Sequence, residues 1–151
     1  GPGQMGKVDQ GFISLWIWRH LNKIPIKYIG FGGHGNQVRD VLHINDLNEL
    51  IYKQIKSIKN KNNFILPAGG GLKNLISLKK LTSLCENITG NKIKITKHKN
   101  TSSYDIPYFC SSNSKAMKLY KWKPKLSIID IVRDTFNWQN KNHKVLKKFL
   151  D

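Results

Sequence analysis

Residues 30–47 constrain this chain more than any other segment, because they join a glycine-rich turn to an arginine and then to the beginning of a helix. The four glycines between residues 30 and 35 let the backbone turn sharply and approach a ligand closely, since no Cβ stands in the way. Arg39 follows on a predicted strand, Val38–Ile44, and a guanidinium beside such a turn suits a phosphate or diphosphate. Asn45 is expected to cap the helix that follows.

The residues alone leave two interpretations of this segment open. The glycine turn would equally suit a loop between two paired strands, and Arg39 would equally suit an ion pair with Asp40 or Asp46. His43 is expected to be a packed core residue. We expect no G-x-G-x-x-G turn, and hence no dinucleotide fingerprint, in the chain. Gly69–Gly71 is not followed by the Lys-Ser/Thr pair of a P-loop.

The formal net charge of +17 suggests nucleic acid at first sight, but its distribution argues against that partner. Only three of the 26 basic residues are arginines, and the lysines are spread along the chain rather than interleaved with aromatic residues in a block. The charge should instead attract anionic ligands. A basic module that binds sugar nucleotides or other polyanions without catalysis is therefore one candidate function.

The sequence indicates neither a metal site nor a membrane span. Cys85 and Cys110 have no metal-ligand spacing, and Cys85 lies in an apolar helical pattern that predicts a small core residue. Two isolated cysteines fit a reducing compartment, so we expect a cytoplasmic protein. The longest apolar run, Phe12 to Trp18, is too short to cross a bilayer.

Strands alternate with helices along the chain, which predicts an α/β fold of short strands and several helices. Residues 1–138 are expected to form one domain, followed by a basic and frayed tail over residues 139–151. Helices are predicted over Asp9–Leu21, after Asn45, between Ser77 and Gly90, after Ser114 and after Ser127, and strands over Ile26–Ile29, Val38–Ile44, Phe64–Leu66 and around Ile93 and Ile95.

Several segments, taken in order, resemble the extended short-chain dehydrogenase/reductases, and within them the nucleotide-sugar epimerases of the CDP-paratose 2-epimerase (CDP-tyvelose epimerase) type. Residues 30–47 resemble the G-x-G-x-x-x-R-D signature of that group. The resemblance covers residues 1 to about 138. Its other segments are Gly1–Gly11, Phe64–Gly71 with Ser77-Leu78, Asp105–Ala116 and Trp122-Lys123-Pro124.

The resemblance implies that eight residues contact a sugar nucleotide or NAD. Gly1 and Pro2 would lie near the nicotinamide, and Arg39 would bind the diphosphate or the ribose. Lys27 and Ile29 would lie beside the base. The full set of implied substrate-binding residues is Gln10, Lys27, Ile29, Gly30, Gln37 and Arg39.

The same resemblance implies that the chain is the carboxy-terminal, substrate-binding part of a Rossmann-type, NAD-dependent epimerase. The catalytic Tyr-x-x-x-Lys of the family and its NAD-binding glycine turn would lie upstream of Gly1. We therefore expect no catalytic residue in this chain and no turnover by it alone. The expected ligand is a nucleotide-diphosphate sugar, with a CDP-sugar first, and the expected protein partner is a separate Rossmann half or a second copy. Ser102 and Ser112 stand where the family carries an arginine and an aspartate.

Overall fold

The computed structural model describes residues 1–4, 11–57 and 65–150, and the chain divides into two compact units. The first unit comprises Gly1–Gln37, Ser77–Pro107 and Ile129–Asp151, and the second comprises Val38–Ile76 and Tyr108–Ile128. The helices are α1 (Phe12–Leu21), α2 (Ile44–Lys56), α3 (Leu78–Thr89), α4 (Ser114–Tyr120), α5 (Ile128–Lys141) and α6 (His143–Leu150). The strands are β1 (Ile26–Ile29), β2 (Val38–Asp40), β3 (Leu75–Ser77), β4 (Ile95–His98) and β5 (Tyr108–Phe109).

The first unit is built on the parallel pair of strands β1 and β4, in which Tyr28 lies opposite Lys97. Side chains of β1 alternate between buried and exposed, as they do in a strand with one covered face. Most residues of helix α1 are buried, because the helix is apolar on nearly every side. On α3, Cys85 is fully buried as predicted, and burial raises the pKa of its thiol to about 12.

The hydroxyl of Thr82 on α3 ties three elements of the first unit together. Its oxygen accepts a hydrogen bond from Trp16 Nε1 on α1 (3.0 Å), and its proton goes to the Leu78 carbonyl one turn earlier (2.9 Å). The phenol oxygen of Tyr28 on β1 lies 2.7 Å from the same hydroxyl. Because a hydroxyl has a single proton, Tyr28 is the donor in that contact.

The second unit contains a three-stranded sheet of order β3-β2-β5, in which β2 and β5 run parallel with Val38 opposite Tyr108. Helices α2 and α4 contact each other, and the unit's core holds Leu50, Ala116 and Trp122. Burying a side chain as large as that of Leu50 stabilises a fold by about 1.5–3 kcal/mol.

Asp46, in the first turn of α2, binds a distant segment of the second unit. Its carboxylate is buried and accepts hydrogen bonds from the backbone N–H groups of Lys125 (3.1 Å) and Leu126 (3.0 Å). Its carbonyl accepts a third bond, from Trp122 Nε1 (2.8 Å). These partners lie 76 to 80 residues further along the chain.

Local signals located the ends of α3 but misplaced the beginning of α2. Ser77 caps α3 by accepting a bond from the Lys80 N–H, and Gly90 ends the helix at a φ of 70°, as predicted. The predicted cap at Asn45 was wrong, because the buried His43 precedes α2 and its Nδ1 accepts from the Asn45 N–H. The strand predicted over residues 38–44 ends at Asp40, since the backbone then turns into α2.

The outcome differs at two other segments. Phe64 lies outside the described residues, as does Asp9, and Ile65 and Leu66 belong to no strand. The prediction of a frayed tail was wrong, because residues 139–150 complete α5 and form α6. Gln139 also donates a hydrogen bond to the Ser14 carbonyl (3.0 Å). The predicted domain boundary after residue 138 falls inside α5 and stays a prediction. Among the described ranges, no helix has the length and apolar character that crossing a bilayer requires.

Replacing Asp46 with Asn should lower the free energy of unfolding by about 1–3 kcal/mol, because the amide leaves one buried backbone N–H without an acceptor. Urea unfolding followed by circular dichroism measures the change. The control is Glu49→Gln, which removes a partly exposed ion pair with Lys125 (2.8 Å) and should cost no more than about 1 kcal/mol. Equal losses in both variants would contradict the role assigned to Asp46.

Candidate functional site

The candidate site is built on the exposed side of β1 and on the glycine turn after it. Lys27 and Ile29 are exposed and share one side of the strand, since residues two apart point the same way. Gly30 follows with a φ of 80°, and its N–H donates to the His98 carbonyl on β4 (2.9 Å). The chain then makes a 3-10 turn over Phe31–Gly33.

The turn is held by a residue that the sequence analysis did not find. Phe31 has a φ of 48°, a left-handed conformation that costs an L-residue about 1–3 kcal/mol. Its N–H donates to the hydroxyl of Thr101 (2.7 Å), which lies 70 residues later in the chain. No local pattern marks Thr101, because its role depends on the approach of the loop after β4.

Gln37 closes the same surface at the end of the turn. Its Nε2 donates to the carbonyl of Ile29 (2.9 Å), so that its side chain lies against the last residue of β1. Its amide oxygen is buried and accepts no hydrogen bond within the described part of the chain. The structure thus brings Lys27, Ile29, Gly30 and Gln37 together in the first unit.

The other four predicted site residues do not belong to this group. Gly1 and Pro2 belong to the first unit. Arg39 belongs to the second unit, on β2. Gln10 lies outside the described residues.

Arg39 is half-buried, and its Nη1 donates to the carbonyl of Val38 (2.9 Å). Of the two carboxylates considered as its ion-pair partners, that of Asp40 accepts from the Gly71 N–H (2.9 Å) and the Ser111 hydroxyl (3.4 Å). The carboxylate of Asp46 accepts the two backbone bonds described above. Both acids thus stabilise loops of the second unit.

The triple glycine packs against β2 instead of forming an open loop. A Cβ on Gly69 would overlap the carboxylate of Asp40, and a Cβ on Gly70 would overlap the carbonyl of Val41. Asn113 binds the Gly69 backbone on both sides, accepting from its N–H (3.0 Å) and donating to its carbonyl (2.9 Å). The glycines are required here by close packing within the second unit.

The prediction that the chain contains no G-x-G-x-x-G spacing was wrong. Gly30, Gly32 and Gly35 do have the G-x-G-x-x-G spacing, but a 3-10 turn and β2 follow them where a dinucleotide fingerprint opens an α-helix. Gly1, Gly3 and Gly6 have it too, and Gly6 lies outside the described residues. Through the described part of the chain, no three His, Cys, Asp or Glu side chains are placed to hold a metal ion.

One Tyr-x-x-x-Lys spacing also escaped the sequence analysis, at Tyr52 and Lys56 on α2. The Lys56 ammonium lies over the Tyr52 ring, 4.5 Å from its centroid, which is a cation–π contact. The Tyr52 side chain is 57% exposed. The spacing here therefore describes an exposed helix surface, and we assign no catalytic role to it.

The chain is similar in sequence to two nucleotide-sugar epimerases. It is 32% identical to the UDP-glucuronate 4-epimerase of Thermodesulfobacterium geofontis over 145 residues, which are 96% of this chain and 42% of that protein. It is 28% identical to the CDP-paratose 2-epimerase of Salmonella typhi over 141 residues, which are 91% of this chain and 41% of that protein. The chain thus spans about two fifths of the length of these curated relatives. No protein-family model matches it.

Its fold is similar to that of UDP-glucuronic acid 4-epimerase from Bacillus cereus, solved in complex with UDP-glucuronic acid and NAD. The TM-score is 0.77 at 23% identity, and the match covers 93% of this chain and 42% of that one. The predicted α/β fold of short strands and several helices is thereby confirmed, and it is similar to part of the fold of a Rossmann-type epimerase.

Replacing Thr101 with Val should destabilise the glycine turn, because the variant keeps the shape but leaves the Phe31 N–H without its acceptor. We expect a loss of about 0.5–1.5 kcal/mol in the free energy of local opening, because the hydrogen bond is exposed. Hydrogen exchange of the amides at residues 30–35 measures it. Thr101→Ser retains the hydroxyl and serves as the matched control. Unchanged protection in the valine variant would remove Thr101 from this role.

Proposed function

We propose that this chain, which is homologous to the nucleotide-sugar epimerases of the short-chain dehydrogenase/reductase type, is the part of such an enzyme that binds the sugar nucleotide. The homology was predicted from the motifs and is confirmed at the level of that family.

The observation that carries the proposal is the grouping of four residues at the end of β1. Ile29 is 45% exposed and offers an apolar surface to a base, while the Lys27 ammonium on the same side attracts a phosphate. Gly30 follows them without a side chain, and the Thr101 side chain lies 3.6 Å from the position that its Cβ would take. The Gln37 amide, held on the Ile29 carbonyl, lies at the same place. This grouping supports a site for the base and the adjoining phosphate.

Arg39 is proposed as the diphosphate ligand. A guanidinium presents several N–H donors in a plane, and it binds phosphate oxygens in pairs where a lysine acts as a single charge. The bond of Nη1 to the Val38 carbonyl is one of the contacts of this guanidinium. Gln10 is proposed to face the sugar, and a CDP-sugar is proposed as the preferred ligand, on the strength of the motif resemblance.

The glycine turn at Gly30–Gly35 does not have the form of an NAD-binding turn. The B. cereus enzyme was solved with NAD, a cofactor that supplies hydride transfer when it is bound. At Gly30–Gly35 no α-helix begins, so no helix N-terminus there can face a pyrophosphate. We therefore assign to this chain the binding and orientation of the sugar nucleotide, with Gly1 and Pro2 proposed near the nicotinamide.

Replacing Arg39 with Ala should weaken binding of the sugar nucleotide by about 1.5–3 kcal/mol, because a charged hydrogen-bond donor to the diphosphate is lost. Calorimetric titration with CDP-, UDP- and dTDP-sugars at two salt concentrations measures the affinity and the preferred base. The matched control is Arg133→Ala, which removes an equal charge from an exposed pair with Asp130 (3.3 Å). Unchanged affinity in the Arg39 variant would exclude Arg39 from the site.

The alternative function is a basic module that binds sugar nucleotides or polyanions without catalysis, which the net charge of +17 favours. Adding the separately produced amino-terminal half of a related epimerase distinguishes the two. The epimerase proposal predicts that turnover of a nucleotide sugar appears in the mixture and is lost with Arg39→Ala. The alternative is correct if all polyanions bind with equal affinity and dissociate at high salt, and if the mixture of the two halves shows no turnover.

A further inference from the structure

A pocket of about 460 Å³ lies in the first unit, on the face of β1 opposite to Lys27 and Ile29. It is lined by Tyr28 of β1, by residues of β4 and the glycine turn, and by one face of α3. Pockets that hold small molecules measure about 300–1,000 Å³. The volume therefore suits one small ligand, and β1 separates that ligand from the proposed sugar-nucleotide site.

The floor of the pocket is a fixed set of hydrogen bonds. Tyr28 and Thr82 are both buried, and the phenol donates to the Thr82 hydroxyl, whose own proton goes to the Leu78 carbonyl. Burial raises the pKa of Tyr28, so the phenol stays neutral. Its oxygen keeps the capacity to accept a hydrogen bond. The floor thus offers an acceptor without a charge.

The wall formed by the turn is held in place by direct backbone packing. The Lys79 N–H donates to the Gly35 carbonyl (2.9 Å), which joins α3 to the turn. A Cβ on Gly35 would lie 2.7 Å from the ring of Tyr28, and one on Gly33 would lie 2.7 Å from the Cβ of Lys97. These approaches leave little freedom for the turn, so this wall of the pocket is formed before any ligand binds.

The charges of the lining define the ligand. Lys79, Ser83 and Glu86 lie on one face of α3, because they are four, three and seven residues apart, and Lys97 faces them from β4. Two ammonium groups against one carboxylate favour an anion, and lysine binds phosphate as a point charge. The Glu86 carboxylate only accepts hydrogen bonds, so it favours a ligand that also carries hydroxyl groups.

We propose that this pocket binds a small phosphorylated sugar or polyol, at a site separate from that of the sugar nucleotide. The phosphate lies between Lys79 and Lys97, and the hydroxyl groups of the ligand meet Glu86, Ser83 and the Tyr28 oxygen. The proposal does not depend on the function proposed above, since none of the residues assigned to the sugar nucleotide lines this pocket.

Calorimetric titration with glucose 6-phosphate tests the proposal, with inorganic phosphate and glucose as separate probes. We expect saturable binding of glucose 6-phosphate, and binding weaker by about tenfold or more for either of the other two probes, because each lacks one half of the recognised chemistry. The variant K79M/K97M should lose about tenfold or more in affinity. The variant K80M/K94M removes the same charge from two exposed lysines that do not line the pocket, and it should bind like the parent chain.

Three results would overturn the proposal. Equal losses in the two double variants would mean that only the overall charge attracts the ligand. Equal affinity for inorganic phosphate would mean that the pocket does not recognise the hydroxyl groups. Displacement of glucose 6-phosphate by UDP-glucose would place it in the sugar-nucleotide site, whereas binding of both at once supports two sites and leaves the function proposed above to its own test.

Discussion

The hydroxyl of Thr82 is the contact on which the first unit depends. It accepts from Trp16 and Tyr28 and donates to Leu78, so a single oxygen joins α1, β1 and α3. Buried hydroxyl groups are stable only when they are fully bonded, and this one is. By fixing Tyr28 against α3, it also fixes the orientation of β1, whose other side carries Lys27 and Ile29 toward solvent.

Sequence reasoning succeeded where the determining interactions are local. The ends of α3 follow from a serine cap and a left-handed glycine, both of which act within one turn of the helix. It failed where a side chain is defined by a distant partner, as with Asp46, whose amide partners lie in the segment around Lys125. Thr101 escaped for the same reason, since nothing near it in sequence indicates that it accepts from Phe31.

The candidate site was predictable to a similar extent. Strand alternation alone places Lys27 and Ile29 on one face, and the glycine turn is visible in the sequence. The pairing of Gln37 with the Ile29 carbonyl required the three-dimensional structure, because the intervening turn follows no regular hydrogen-bond pattern. Spacing alone would mislead here, since Gly30, Gly32 and Gly35 match a dinucleotide pattern but lead into a strand.

The packing of Gly69 and Gly70 against β2 affects how sequence variation in this protein should be interpreted. A glycine run beside a strand is easily taken for a ligand-binding loop, but any side chain introduced there would displace Asp40 or Val41, with a loss of stability. Such a loss would reflect a steric requirement of the backbone. Intolerance to substitution at these two positions is thus a property of folding, and it carries no information about what the protein binds.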